Sequence, residues 1–383
     1  MSSYHSQASL PLPSPEQIAH SALLVERIIA HIKAQNGVIS FRDYMQHCLY
    51  EPGLGYYAAG SIKFGAAGDF VTAPEISTLF GACLANQVDG LFAQGLNKNL
   101  LEIGAGTGKL CVDIIQRLSQ LNRAWDCYSI LEISSDLRER QQQLLQQTLS
   151  AKEFKKIRWL DALPKQFCGV VLGNEVLDAM PVNVVLKQGH WIELGVGYEE
   201  QKFIWKPLGL DSDAVSKIKQ IDSDNTLAEE YCSEVNLNYE PWCQSLSDAC
   251  SQAVVLLIDY GYLADQYYHS FRASGTLSCF YQHRIHGDPF VYPGLQDITA
   301  FVDFDAFADA AIQAGFHIQG LKSQAEFLMH NGLLALGAAD GLDELQQVKL
   351  AQQMKTLTLP GEMGEKFKVI GLTKNIDLDM NCF

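Results

Sequence analysis

The stretch whose residue types and spacing speak most directly of chemistry is Leu101-Glu102-Ile103-Gly104-Ala105-Gly106-Thr107-Gly108. It overlaps a short apolar run, Leu100–Ile103, and opens a helical pattern over Lys109–Leu121. Alternating glycines let a backbone turn sharply and let a ligand approach it closely. A dinucleotide fingerprint needs a glycine where Lys109 stands. A Walker A loop needs a glycine in place of Ile103 and a hydroxyl residue in place of Leu110. What remains is an acidic residue followed by Gly-x-Gly-x-Gly, with a ligand-free turn as the alternative.

Polar groups at the ends of the following apolar runs extend this pattern. Glu132 ends Cys127–Leu131, where a carboxylate can accept both hydroxyls of a ribose or simply face solvent. Asp161 ends Ile157–Leu160, placed to meet an adenine amino group or to cap a turn. Gly173-Asn174-Glu175 ends Val170–Leu172. Four polar strand ends on one edge make the ligand crevice of an open α/β sheet. The Glu102–Gly108 loop resembles motif I of class I S-adenosylmethionine (SAM) methyltransferases, in which the edge carrying Glu175 faces the transferable methyl group.

Glu175 and Asp178 are three residues apart and share a face if the segment turns helically. Two carboxylates can hold a guanidinium by paired hydrogen bonds; acids balancing a helix N-terminus are the other reading. The chain lacks the Asn/Asp-Pro-Pro-Phe/Tyr tetrapeptide, which weakens DNA bases and glutamine as acceptors. Asp259-Tyr260-Gly261 ends the run Val254–Ile258 and is placed to line the same cleft. Tyr281–His286 carries two histidines and an arginine, suited to anchoring a carboxylate or to a hydrogen-bonded loop. No metal-ligand spacing is present.

These residues need a scaffold, and the chain is long enough to supply one. Its 383 residues are 48% apolar and 19% charged, a globular composition. The 44 acidic against 28 basic residues give a net charge of −16, which disfavours nucleic acid and anionic membranes. No apolar stretch reaches the roughly 18 residues of a membrane span. The first basic residue is Arg27, so the expectation is a cytoplasmic protein without a targeting peptide. Ten scattered cysteines, never CxxC, read as small buried hydrophobes in a reducing compartment.

Residues 1–13 read as a loose tail and 14–98 as a helical and loop extension. Ser14-Pro15-Glu16-Gln17 opens its first helix with a capping box, and Ser40 caps a second. Residues 51–73 read as ordered loop, and Pro74 opens a helix running to about Phe92. The bare N–H groups expected near Asp69, Thr72 and Pro74 suit an anion such as the SAM carboxylate, or are simply capped. The rhythm of strands and helices over 99–181 and 253–383 predicts a doubly wound α/β sheet of seven strands, the last two adjacent. Residues 182–252 read as an inserted cap: a β-meander over 182–206, then a helical stretch over 211–252 with nine acids and two lysines. That stretch either attracts a basic peptide or is a solvated surface. Apolar helices near 324–357 offer a homodimer interface.

Several segments together resemble the MidA-like methyltransferases, relatives of the mitochondrial complex I assembly arginine methyltransferase. They are Phe41–Met45 with Leu49–Pro52, Gly55–Tyr57, Gly68–Ser77 with Phe80-Gly81, the Glu102–Gly108 loop, and Glu132–Ser134. Asn174-Glu175 with Asp178–Pro181, Asp259–Gly261, Gly275–Leu277, and Gln296–Thr299 with Val302–Phe304 complete the set. Met180 stands where that family usually has leucine. The resemblance implies a Rossmann-like class I SAM methyltransferase sheet with an N-terminal helical extension and an inserted cap. It implies SAM bound through Glu102, Gly104, Gly106, Gly108, Glu132, Asp161, Asn174, Asp69, Thr72 and Pro74, with Glu175 and Asp178 as catalytic residues. It also implies symmetric dimethylation of a protein arginine, in the mitochondrial member during respiratory-complex assembly. A small-molecule methyltransferase and a non-catalytic SAM-binding assembly factor are the competing readings.

Overall fold

The computed structural model describes residues 10–59, 72–338, 341–378, 380 and 383. The first four residues of the Gly68–Ser77 motif, with Asp69, lie outside them, as do Cys382 and part of the expected 51–73 loop. The described residues fall into two compact units. One holds the described part of 1–70 with Asp178–Tyr239 and Tyr262–Asp303; the other holds the described part of 71–177 with Glu240–Gly261 and Phe304–Phe383. The expected division differs. The N-terminal extension splits near residue 70 instead of ending at 98, and 262–303 groups with the insertion.

The second unit carries the glycine loop. Its main elements are α1 (Ala73–Ile76), α2 (Thr78–Ala93), β1 (Asn99–Ile103), α3 (Lys109–Gln120), β2 (Cys127–Leu131), α4 (Ser135–Thr148), β3 (Ile157–Leu160) and β4 (Phe167–Asn174). They continue with β5 (Cys250–Tyr262), α5 (Phe304–Gln313), β6 (His317–Ser323), α6 (Gln324–His330), α7 (Glu344–Thr358) and β7 (Phe367–Lys374). The strand order is β6-β7-β5-β4-β1-β2-β3. β1 to β5 are mutually parallel, while β7 runs antiparallel between β5 and β6. The seven expected strands are all present, but Val302–Asp303 also pairs β5, so the sheet has eight. Only two residues long, that strand is too short for an apolar run to announce it.

The run Ala253–Ile258 in β5 is buried without interruption, as a central parallel strand requires. Leu110, Cys111, Ile114, Ile115 and Leu118 of α3 lie in the same core as Leu100, Val170 and Leu256. The helix expected from Pro74 to Phe92 is two helices. Ser77 adopts an extended conformation (φ −157°, ψ 139°) between α1 and α2, and its hydroxyl accepts the Leu79 N–H at 3.3 Å. A serine that caps a new helix ends the old one.

In the other unit, helix Pro15–Ala34 opens with the full capping box of Ser14 and Gln17, and Ser40 caps Phe41–Tyr50. The meander Asn183–Gln188, His190–Glu199 and Lys202–Gly209 forms an antiparallel sheet joined by Ile39–Ser40 and Cys232–Val235. The 211–252 stretch is therefore not helical throughout. It is helix Asp213–Ile221, strand Cys232–Val235 and helix Tyr239–Ala249. Its acids are not all solvated either. Asp222 is buried against Lys187 at 2.7 Å, and Glu234 is buried accepting N–H groups of Thr276 and Leu277. Tyr281–His286 is a β-hairpin whose turn residues Gln282 and His283 have φ of 46° and 61°. Among the described residues, nine cysteines are free and no helix is long and apolar enough to cross a membrane.

Gly169 shows how tightly β4 meets β1. It has φ 148°, and a Cβ there would lie 2.2 Å from the Asn99 carbonyl oxygen. Gly169→Ala is expected to lower the unfolding free energy by about 2–4 kcal/mol, through overlap and backbone strain. Urea unfolding checks this, and a loss below about 1 kcal/mol contradicts it.

Candidate active site

The site is built where β1 to β4 end. The chain leaves β1 through Gly104, Gly106 and Gly108, whose φ values are 67°, 53° and 87°. All three lie in the left-handed region that a side chain disfavours. Gly104 N–H donates to the Leu131 carbonyl at 3.0 Å, and Gly108 N–H to the Ala105 carbonyl at 2.8 Å, which closes the loop. A Cβ on Gly108 would press on Gln141 at 3.3 Å. Thr107 Oγ1–H donates to the Glu75 carboxylate at 2.5 Å, tying the loop to α1. Lys109 pairs with the buried Asp113 one turn along α3.

Glu132 stands at the end of β2, 5% exposed. It accepts the Ser134 N–H at 3.0 Å and the Gln141 amide at 3.1 Å. Burial raises its pKa, against the pull of those hydrogen bonds. Gln141 is the hub. Fully buried on α4, it also donates to the Gly106 carbonyl at 2.9 Å and accepts the Trp159 indole N–H at 2.9 Å. One side chain thus joins the ends of β1 and β2 to β3. Sequence reasoning missed it, because Gln141-Gln142-Gln143 reads as an undistinguished polar helix face. Arg138, on the same helix, donates to the Glu132 and Leu160 carbonyls and pairs with Asp161 at 2.7 Å. Asp161 is otherwise exposed, held in place by that arginine.

Glu102 is expected among the cofactor-binding residues. It is 2% exposed, accepts the Tyr128 hydroxyl at 2.7 Å, and supports the loop from within the core. Thr72 precedes α1 without a side-chain cap, and Pro74 is buried in a helix of only four residues.

β4 ends on Asn174. Glu175 follows with φ 54°, a strained conformation for a non-glycine residue, and its N–H donates to the Ile258 carbonyl at 2.8 Å. Asn174 Nδ2–H donates to Glu175 Oε1 at 3.0 Å, while Asn174 Oδ1 is buried without a hydrogen-bond partner. The next two N–H groups, of Val176 and Leu177, donate to Asp259 Oδ2 at 3.0 and 2.8 Å. Val176 comes within 3.5 Å of where a Gly104 Cβ would be, so this turn and the glycine loop are neighbours. The expected helical pairing of Glu175 with Asp178 does not form. Residues 175–180 make bends and turns, and Asp178 belongs to the other unit, where its carbonyl accepts the Ala300 N–H at 3.0 Å. The left-handed residue after β4 and the Asp259 cap divert the chain before a helix can start.

The family model described as "Putative S-adenosyl-L-methionine-dependent methyltransferase" matches residues 80–322. The chain belongs to this family. A crystal structure from Burkholderia thailandensis with S-adenosyl-homocysteine bound is 40% identical, with a TM-score of 0.92 and 98% of each chain covered. A native structure from the same organism gives 40% identity, a TM-score of 0.89 and the same coverage. The mitochondrial protein arginine methyltransferase NDUFAF7 homolog of Caenorhabditis elegans is 29% identical over 94% of this chain and 87% of its own length. Its human counterpart is 28% identical over 91% and 83%. The protein is thus a MidA-like SAM-dependent methyltransferase. The residues present suit that cofactor. Three glycines leave the loop backbone open, a fixed carboxylate ends β2, and Asn174 Oδ1 awaits a donor.

Burial raises the Glu102 carboxyl from 4.5 to about 7. A raised acid keeps its proton in the folded chain after losing it in the unfolded one, so its effect is to reduce stability as pH climbs through that window. Glu102→Gln keeps a partner for Tyr128 and removes that titration. The thermal midpoint of the variant is expected to gain on the wild type between about pH 4.5 and 7, with no further gain above. Parallel curves across that range contradict the assignment.

Proposed function

We propose that this methyltransferase transfers the methyl group of SAM to an arginine side chain of a protein, with symmetric dimethylarginine as the product. The observation that carries the proposal is Glu175, a carboxylate held in a left-handed conformation at the end of β4, beside the glycine loop. Relatives aligned over about nine-tenths of this chain and named protein arginine methyltransferases support the same reading.

SAM supplies a methyl group on a positively charged sulfur, ready for displacement. The loop Gly104–Gly108 and the strand-end residues Glu132, Asp161 and Asn174 would hold it, with Glu102 and Gln141 keeping loop and carboxylate in place. Glu175 would accept N–H hydrogen bonds from the guanidinium, orient one nitrogen in line and favour the proton loss that accompanies C–N bond formation. Asn174 fixes the carboxylate through its 3.0 Å hydrogen bond. The strain at Glu175 suits this role, since a site residue in a sparsely populated conformation persists only where its surroundings hold it.

Radiolabelled SAM and the purified protein, added to a lysate of cells lacking it, test the reading. One labelled protein band that yields symmetric dimethylarginine on hydrolysis is expected. Glu175→Gln should cut labelling by about a hundredfold or more while S-adenosyl-homocysteine affinity changes by less than about threefold. Label confined to small molecules, or no label despite cofactor binding, rejects the protein-arginine reading. Full activity in Glu175→Gln rejects the role of that carboxylate.

A further inference from the structure

A cavity of about 360 Å³ lies within the unit that does not carry the glycine loop. Asn183 and Glu193 line it, from the adjacent strands Asn183–Gln188 and His190–Glu199. They are 4% and 2% exposed. Asn183 Nδ2–H donates to Glu193 Oε1 at 2.6 Å, which sets the amide and the carboxylate side by side. Asn183 Oδ1 is buried with no hydrogen-bond partner, and among the described residues no cation lies within ion-pair distance of Glu193. A buried carboxylate ordinarily has a cation beside it, as Asp222 has Lys187 in this same unit.

The charges around the cavity have the same sense. Asp43 and Asp213 join Glu193 on the lining, against one cation there, Arg42. Arg42 is 41% exposed and 3.9 Å from Asp43, so it is engaged with an acid at the margin. Val38 and Leu208 add apolar wall. An anionic ligand would face three acids and an amide oxygen. A planar cation with several N–H donors would meet the Glu193 carboxylate and an amide oxygen, acceptors of the kind that a guanidinium binds.

We propose that this cavity is a second binding site, one that takes an alkylguanidinium such as an arginine side chain presented by a protein or peptide. The inference does not rest on the identity of the methyl acceptor, because none of these residues belongs to the site around Glu175.

The test uses the full chain saturated with S-adenosyl-homocysteine and isotopically labelled at methyl groups. n-Butylguanidinium is titrated and followed by NMR at Val38, Ile39, Leu208 and Ala214, all on the lining. Saturable shifts at these methyls are expected. n-Butylurea, which has the same shape without the charge, should bind about tenfold or more weaker, the effect of losing charge-assisted hydrogen bonds. Glu193→Gln should weaken n-butylguanidinium by a similar factor while leaving S-adenosyl-homocysteine affinity unchanged. Absence of saturable shifts at these methyls, equal binding of the urea, or wild-type affinity in a folded Glu193→Gln would overturn the proposal and leave the cavity to water. The urea comparison on the wild-type chain decides the matter even where the variant does not fold.

Discussion

The carboxylate of Asp259 is the interaction on which the candidate site depends. It is fully buried within β5 and accepts the N–H groups of Val176, Leu177 and Tyr260. Where β4 stops, its chain must turn away from the sheet, and those backbone donors would otherwise be buried without partners. An unsatisfied buried donor costs about 1–3 kcal/mol. By meeting two of them with one oxygen, Asp259 makes the left-handed conformation of Glu175 tenable. Glu175 can be strained because its neighbours are so fully tied.

A parallel logic holds the cofactor side. A glycine-rich loop and a carboxylate at the next strand end form a fixed site only if both are tethered. Here Gln141 does the tethering from α4, binding the Gly106 carbonyl and Glu132 together and being held in turn by Trp159. Arg138, three residues earlier on α4, ties the ends of β2 and β3 in the same way. The residues that would touch the cofactor are therefore backed by a buried layer that would not touch it. Such backing is what holds a binding geometry to the tolerance that transfer chemistry requires.

The other unit uses its polar groups differently. Glu234 and Asp222 are both buried acids with several protein donors. Glu193, equally buried, has the Asn183 amide and a cavity. That contrast within one unit distinguishes a structural carboxylate from one whose partner comes from outside. Methyltransferases that share one sheet take very different acceptors, so substrate choice has to reside in what each chain adds to that sheet. The sheet-bearing unit here supplies cofactor chemistry common to the family, while the added unit offers a surface with its own binding capacity.

Much was legible in the sequence because it was local. Gly-x-Gly-x-Gly after an apolar run can only be a turn that opens the backbone, and all three glycines have positive φ. Apolar-rich runs marked the seven expected strands, and the meander over 182–206 showed its alternation of two. Ser14 and Ser40 announced helix starts because capping is a matter of adjacent residues. What tertiary structure alone decided involves partners far apart in the chain. Glu102 turned inward to Tyr128, Gln141 became a hub, and the turn after Asn174 was captured by Asp259, more than eighty residues away. The non-helical turn that keeps Glu175 and Asp178 off a common helix face has the same origin. Spacing along a chain reports which side chains can share a face, but burial and long-range hydrogen bonds choose which face forms.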